Sequence, residues 1–245
     1  MPKLKDHRYL AAKDKFLKYS FQALQDHFST KDEFISFFEN IENDDQKNLF
    51  LKTASFYLFL VKKGNWQVDI AGSDKTIGYL TDTYQYIAIF SLIESLREKE
   101  FIDFYSFLMR RKANVSFPIK DKQELDQWYR KYKQEYGSIQ QSVQFFKSLI
   151  PQKKAYLIKN LEIRNVKPTI ENLSKYLYDV RSRFVHEAQL INMSGNTTIS
   201  KYGEKTVICR LSLKKLMEFF EEGLINYFEK HNDRMHPIGQ KAASG

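Results

Sequence analysis

Arg181 and His186 lie five residues apart in the run Tyr178-Asp179-Val180-Arg181-Ser182-Arg183-Phe184-Val185-His186-Glu187. Of all the side chains in the sequence, these two are the best suited to act on a phosphate. A guanidinium group keeps its charge and offers a planar fork of donors that fits phosphate oxygens. An imidazole takes up and releases a proton near neutrality. Ser182, Arg183 and Glu187 surround the pair with further polar groups, and Tyr178 stands one turn ahead of it. No other stretch competes, because the chain has no glycine-rich phosphate loop and no nucleophile elbow. His7, His27, His231 and His236 lack cysteine or paired acidic neighbours at metal-ligand spacing, so no metal and no cofactor is expected.

The segment reads as helix, which fixes what the pair can do. Five residues correspond to roughly 140° of rotation and about 7.5 Å of rise. Arg181 and His186 therefore cannot stack on each other. Ser182 and Arg183 share a face with His186, whereas Arg181 must reach round or meet its counterpart from another chain. That geometry favours a composite site at a two-fold interface, each subunit presenting the same helix. A purely structural account uses the same residues: Arg183 and Glu187 at ion-pair spacing, Arg181 beside Asp179, and His186 packed against a neighbouring carbonyl.

The elements that must carry this segment read as helix nearly throughout. Phe16, Leu17, Phe21, Leu24 and Phe28 recur at helical spacing, and Thr30 with Glu33 forms a capping box before Phe34, Phe37, Phe38 and Ile41. A core helix over 48–61 ends at Lys62-Lys63-Gly64. Residues 64–78 read as a loop, and a long helix over 79–100 follows, with Phe101 to Arg111 continuing or restarting it. Pro118 breaks the pattern, Asp121 restarts it, and Trp128, Tyr132 and Tyr136 follow at four-residue intervals. Ser138 caps the next stretch, which stops at Pro151; a shorter helix over 154–161 comes before Thr169, which opens the Arg181 helix. Residues 197–201 and 205–211, around Tyr202-Gly203-Glu204, suggest a β-hairpin, and Ser212 caps a last amphipathic helix.

Composition supports a folded chain. In 245 residues, hydrophobic content is 42% and aromatic content 15%, enough to bury a sizeable core. One cysteine, Cys209, excludes an internal disulfide framework and reads as a small buried hydrophobe in a strand. The opening Met-Pro-Lys-Leu-Lys-Asp is charged rather than signal-like, and the greasiest run, 48–61, falls short of the roughly 20 apolar residues a membrane span needs. A cytoplasmic protein with no membrane partner is expected.

The net charge of +9 is uneven. Residues 110–133 hold eight cations, Arg110 and Arg111 among them, against three acids, while residues 32–48 hold six acids against Lys47. A polyanionic partner suits the basic side, although lysine-rich helices are often merely solvated. Trp128 and Tyr129 beside Arg130 and Lys131 could stack bases, but their spacing is more often that of core packing.

The run from Leu177 to His186, an Arg-x4-His motif on a late helix of an all-α chain, resembles the motif of HEPN domains (higher eukaryotes and prokaryotes nucleotide-binding). The Arg-Ser and Val-His pairs look most like the Apea-like branch. Tyr-Lys-Gln-Glu-Tyr-Gly ahead of an aromatic helix, and the hairpin and terminal helix after the motif, extend the resemblance over residues 75–232. It implies an antiparallel helical bundle that forms a homodimer through its motif helices, and in catalytic members a metal-independent endoribonuclease. His186 would then move the proton of a ribose 2′-hydroxyl or of the leaving oxygen, and Arg181 would hold the charge growing on the phosphate. The products would be a 2′,3′-cyclic phosphate and a 5′-hydroxyl. Ser182, Arg183, Glu187, Tyr178, Arg110 and Arg111 would support the site or bind RNA. Many catalytic members place Asn, Asp or His directly after the arginine; here the shorter Ser182 stands there.

The resemblance also implies a toxin or antiphage effector, with an antitoxin or other regulatory protein as a partner. A non-catalytic HEPN module binding RNA, nucleotide or protein is the alternative, and an assembly role for the acidic region 32–48 is a third. The expected organisation is an N-terminal helical region over 1–70, a HEPN-like domain over 71–235 with a hairpin before its last helix, and a tail over 236–245.

Overall fold

A computed structural model describes residues 14–67, 70–96, 102–111, 119 and 121–235, with side chains from residue 15 to residue 229. The chain's opening residues, the 236–245 tail, Phe101 and Pro118 lie outside the described residues.

Ten α-helices and a small sheet make up the described fold. The first three helices are α1 (Asp14–Leu24), α2 (Lys31–Glu39) and α3 (Asp44–Tyr57), and α3 continues into a π-helical turn over Leu58–Lys62. Next come α4 (Asp74–Ser95), α5 (Phe104–Arg110), α6 (Lys122–Tyr136), α7 (Ser138–Ser148) and α8 (Pro151–Asn160). Strand β1 (Leu161–Ile163) precedes the motif helix α9 (Ile170–Glu187); β2 (Thr198–Tyr202), β3 (Lys205–Cys209) and α10 (Leu213–Met235) follow.

Side-chain caps fix most of the helix starts. Thr30 accepts the Glu33 N–H at 3.1 Å while the Glu33 carboxylate reaches back to the Ser29 N–H, one residue beyond the usual capping box. Asn43, Asp103, Asp121, Thr169 and Ser212 each accept from a first-turn amide. Asp32 and Glu33 open α2, and Asp44 and Asp45 open α3, so much of the acidic run serves two helix N-termini.

Three sequence expectations need correction. The long helix begins at Asp74 rather than Tyr79, because Ser73 closes a turn on Ile70 and Gly78 continues the helix. Ser138 is the first helical residue of α7, with Gly137 at its cap. The hairpin gains a third strand, giving the antiparallel order β1-β3-β2 with Leu161 opposite Cys209 and Ile163 opposite Val207. Three residues straight after a helix are too few for alternation to reveal a strand. Gly203 turns the hairpin at φ 59°, a left-handed value that glycine adopts without strain.

One core runs from α1 to α10. Phe50 of α3 meets Phe228 of α10 edge-on at 5.3 Å, and Tyr57 meets Phe220 at 4.8 Å. The helices before residue 64 thus share their core with the helices after residue 74. Glu221 pins the two stretches together: buried, it accepts the Tyr57 hydroxyl at 2.6 Å, His27 Nε2 at 2.9 Å and the Lys62 ammonium at 3.1 Å. A second, small cluster of Ile102, Phe107 and Leu108 lies between α5 and α6, where Trp128, Tyr132 and Tyr136 pack. Cys209 is buried in β3.

Candidate functional site

Helix α9 carries the Arg181–His186 segment, and its apolar stripe decides which way each of the two points. Leu173, Ser174, Tyr176 and Leu177 are buried, and the Leu177 carbonyl accepts the buried Tyr86 hydroxyl of α4 at 2.6 Å. Arg181, one turn beyond Leu177, therefore lies against α4. Its guanidinium faces Glu94 at 3.6 Å, with the two side chains 19% and 22% exposed. That separation is beyond a hydrogen bond, and the Arg181 Nε–H is buried with no hydrogen-bond partner among the described residues. Tyr178 offers its ring to the guanidinium at 5.6 Å, with Ser138 and Glu94 beside its hydroxyl. Burial, together with the nearby Glu94 charge, pushes the Tyr178 phenol above its ordinary range.

His186 points the other way. It is exposed in the last turn of α9, and the helix stops one residue later. Ala188 ends it in a left-handed conformation at φ 53° and donates its N–H to the Phe184 carbonyl at 2.9 Å. Phe184 holds this last turn by meeting Tyr84 edge-on. Within one chain, then, the guanidinium lies in the groove between α4 and α9 and the imidazole stands in solvent.

The remaining expected site residues divide. Arg183 donates to Asp179 at 2.7 Å and to the Lys201 carbonyl at 2.7 Å and lies over Tyr202, so it clamps β2 to α9. The expected pairing of Arg183 with Glu187 gives way to Asp179, one turn earlier, because the hairpin draws the guanidinium toward β2. Arg181 pairs across the groove with Glu94 rather than with Asp179, which Arg183 already occupies. Ser182 is half-buried and Glu187 exposed. Arg111 is tied to Glu135 at 2.6 Å and lies over Phe107, while Arg110 is exposed on α5, whose small packing cluster is distinct from the core beneath α9. Lys131 and Lys133 cover the rings of Trp128 and Tyr129.

Glu94 is the site residue that the sequence did not single out. It stands at helical spacing from Phe90, but its partner lies on a helix nearly ninety residues away in the chain, so no local pattern marks it. Among the described residues no group of three or more His, Cys, Asp or Glu side chains could hold a metal ion, and no helix is long and apolar enough to cross a membrane. The chain matches no family model, no curated protein and no solved structure.

Proposed function

We propose that the chain is an endoribonuclease of the HEPN type, acting as a homodimer in which α9 of each subunit faces its counterpart. One observation carries this reading: a semi-buried arginine held by one loose ion pair and the Tyr178 ring, its Nε–H unbonded among the described residues, about 1.4 turns from an exposed imidazole on the same helix. An unsaturated guanidinium fork is a receptor for phosphate oxygens. A scissile phosphodiester takes over Arg181 from Glu94, and His186 of the facing subunit removes the 2′-hydroxyl proton. Attack of that oxygen on phosphorus expels the 5′-oxygen, which takes up a proton, and leaves a 2′,3′-cyclic phosphate.

Glu94 also favours the second reading, a non-catalytic module that binds RNA, nucleotide or a protein partner, because it already neutralises Arg181 in the single chain. Purified protein incubated with mixed RNA in excess EDTA separates the two. Cleavage is expected, with a drop of about 10²–10⁴-fold in His186→Ala and in Arg181→Ala. Cleavage left intact by the His186 substitution rejects the catalytic reading, and RNA binding without cleavage in the wild type supports the second.

A further inference from the structure

Away from α9, the first turns of α4 and the strap Asn65-Trp66-Gln67 border an open surface cleft of about 460 Å³. Its α4 wall is one stripe of Asp74, Ile77, Gly78, Thr81 and Asp82. The strap is fixed along that stripe: the Trp66 N–H donates to the Thr81 hydroxyl at 3.4 Å and Gln85 donates to the Gly64 carbonyl at 2.7 Å. Trp66 stacks on Tyr84 with ring centroids 4.2 Å apart, yet remains 47% exposed.

Three features of this cleft do not follow from packing. Gly78 sits inside a helix, where glycine is the poorest former after proline, and a Cβ built there meets nothing within 4 Å. Glycine is therefore not needed for fit, and its effect is to keep the wall bare. The described lining contains two carboxylates, Asp74 in the first turn of α4 and Asp82 two turns on, and no cation, in a chain of net charge +9. No described cation pairs with Asp82, whose carboxyl is pushed above the ordinary range by burial alone.

We infer that this cleft binds a linear polyammonium chain, its methylenes lying over the bare Gly78 wall and the Trp66 indole and its ammonium groups on Asp74 and Asp82. The carboxylates are eight residues apart on one helix, about 12 Å along its axis, a span that an extended triamine such as spermidine bridges. Indole is the best aromatic partner for an ammonium ion. The same chemistry is available from a free polyamine or from a lysine-rich segment of a partner protein. This inference does not depend on cleavage at α9.

The test titrates the full chain with spermidine at about 0.15 M salt, following heat and tryptophan emission. Saturable binding is expected, weakened at least tenfold by Asp82→Asn, by Asp74→Asn, and by Gly78→Leu, whose side chain fills the wall without lowering the melting temperature. n-Butylamine, with one ammonium, should bind at least tenfold more weakly than spermidine. A lysine-rich peptide that binds more tightly than spermidine and is lost in the same variants assigns the cleft to a protein partner and keeps the ligand class. No saturable binding of either probe, binding indifferent to Asp82→Asn, or equal binding of n-butylamine overturns the proposal.

Discussion

Replacing Glu221 with alanine removes the pin between the N-terminal helices and α10, and the structure sets the size of the loss. Three donors converge on this carboxylate, and their fates differ. The Tyr57 hydroxyl is wholly buried and is left stranded, at about 1–3 kcal/mol. Lys62 keeps Asp26 at 2.9 Å and the Ala23 carbonyl at 2.8 Å, so its charge is not orphaned, and His27 is exposed enough to bond water. These two contacts together are worth about 1 kcal/mol. With the lost methylenes, the total is about 3 kcal/mol, a melting-temperature drop of roughly 6–12 °C for a chain this long. Thermal unfolding followed by far-ultraviolet circular dichroism reads it directly, with Lys18→Ala, at an exposed position of α1, as a near-neutral control. A loss below about 1 kcal/mol would show that the three bonds only offset the desolvation of the carboxylate and that apolar packing alone joins the two halves.

The same carboxyl makes a pH prediction. Burial pulls the Glu221 carboxyl pKa up, but the hydrogen bonds from His27 and Tyr57 and the Lys62 charge outweigh it and hold the group below its ordinary value of 4.5. Its stabilisation is therefore complete above about pH 4.5 and is lost as pH falls from there through the folded value, so the gap in melting temperature between wild type and Glu221→Gln should narrow below pH 4.5. Gly223→Ala should destabilise by about 2 kcal/mol in urea melts, because a Cβ there comes within 2.3 Å of the Phe145 ring and α7 must move off α10. Glu94→Gln should strengthen RNA binding severalfold in filter-binding assays by freeing Arg181, and an unchanged affinity would count against competition for that guanidinium. Arg183→Ala should lower stability by about 1–2 kcal/mol while leaving cleavage by the folded protein within threefold, since its donors are committed to Asp179 and Lys201.

Helices that signal themselves through caps and apolar spacing were legible in the sequence. Thr30, Asp121, Thr169 and Ser212 each sit where the expected caps fall, and Trp128, Tyr132 and Tyr136 pack as their four-residue spacing implied. Features made by partners distant in the chain were not. Strand β1 exists because β3 is there to pair with it, and the role of Glu221 depends on residues more than 150 positions away. At the candidate site, helical geometry separated Arg181 from His186 by rotation, and the structure turns one inward and the other outward. What the sequence could not disclose is that Glu94 already faces the arginine.

The central claim is that a guanidinium from one subunit and an imidazole from the other act on the same phosphodiester. Mixing Arg181→Ala with His186→Ala protein and allowing subunits to exchange tests it most directly. Each mixed dimer rebuilds one of its two sites from the unmutated arginine of one chain and the unmutated histidine of the other. With statistical exchange, about half the dimers are mixed and each carries one working site, so cleavage in EDTA should return to roughly a quarter of wild type from two nearly inactive parents. A mixture as inactive as its parents, at a concentration where exchange is verified, would contradict the account.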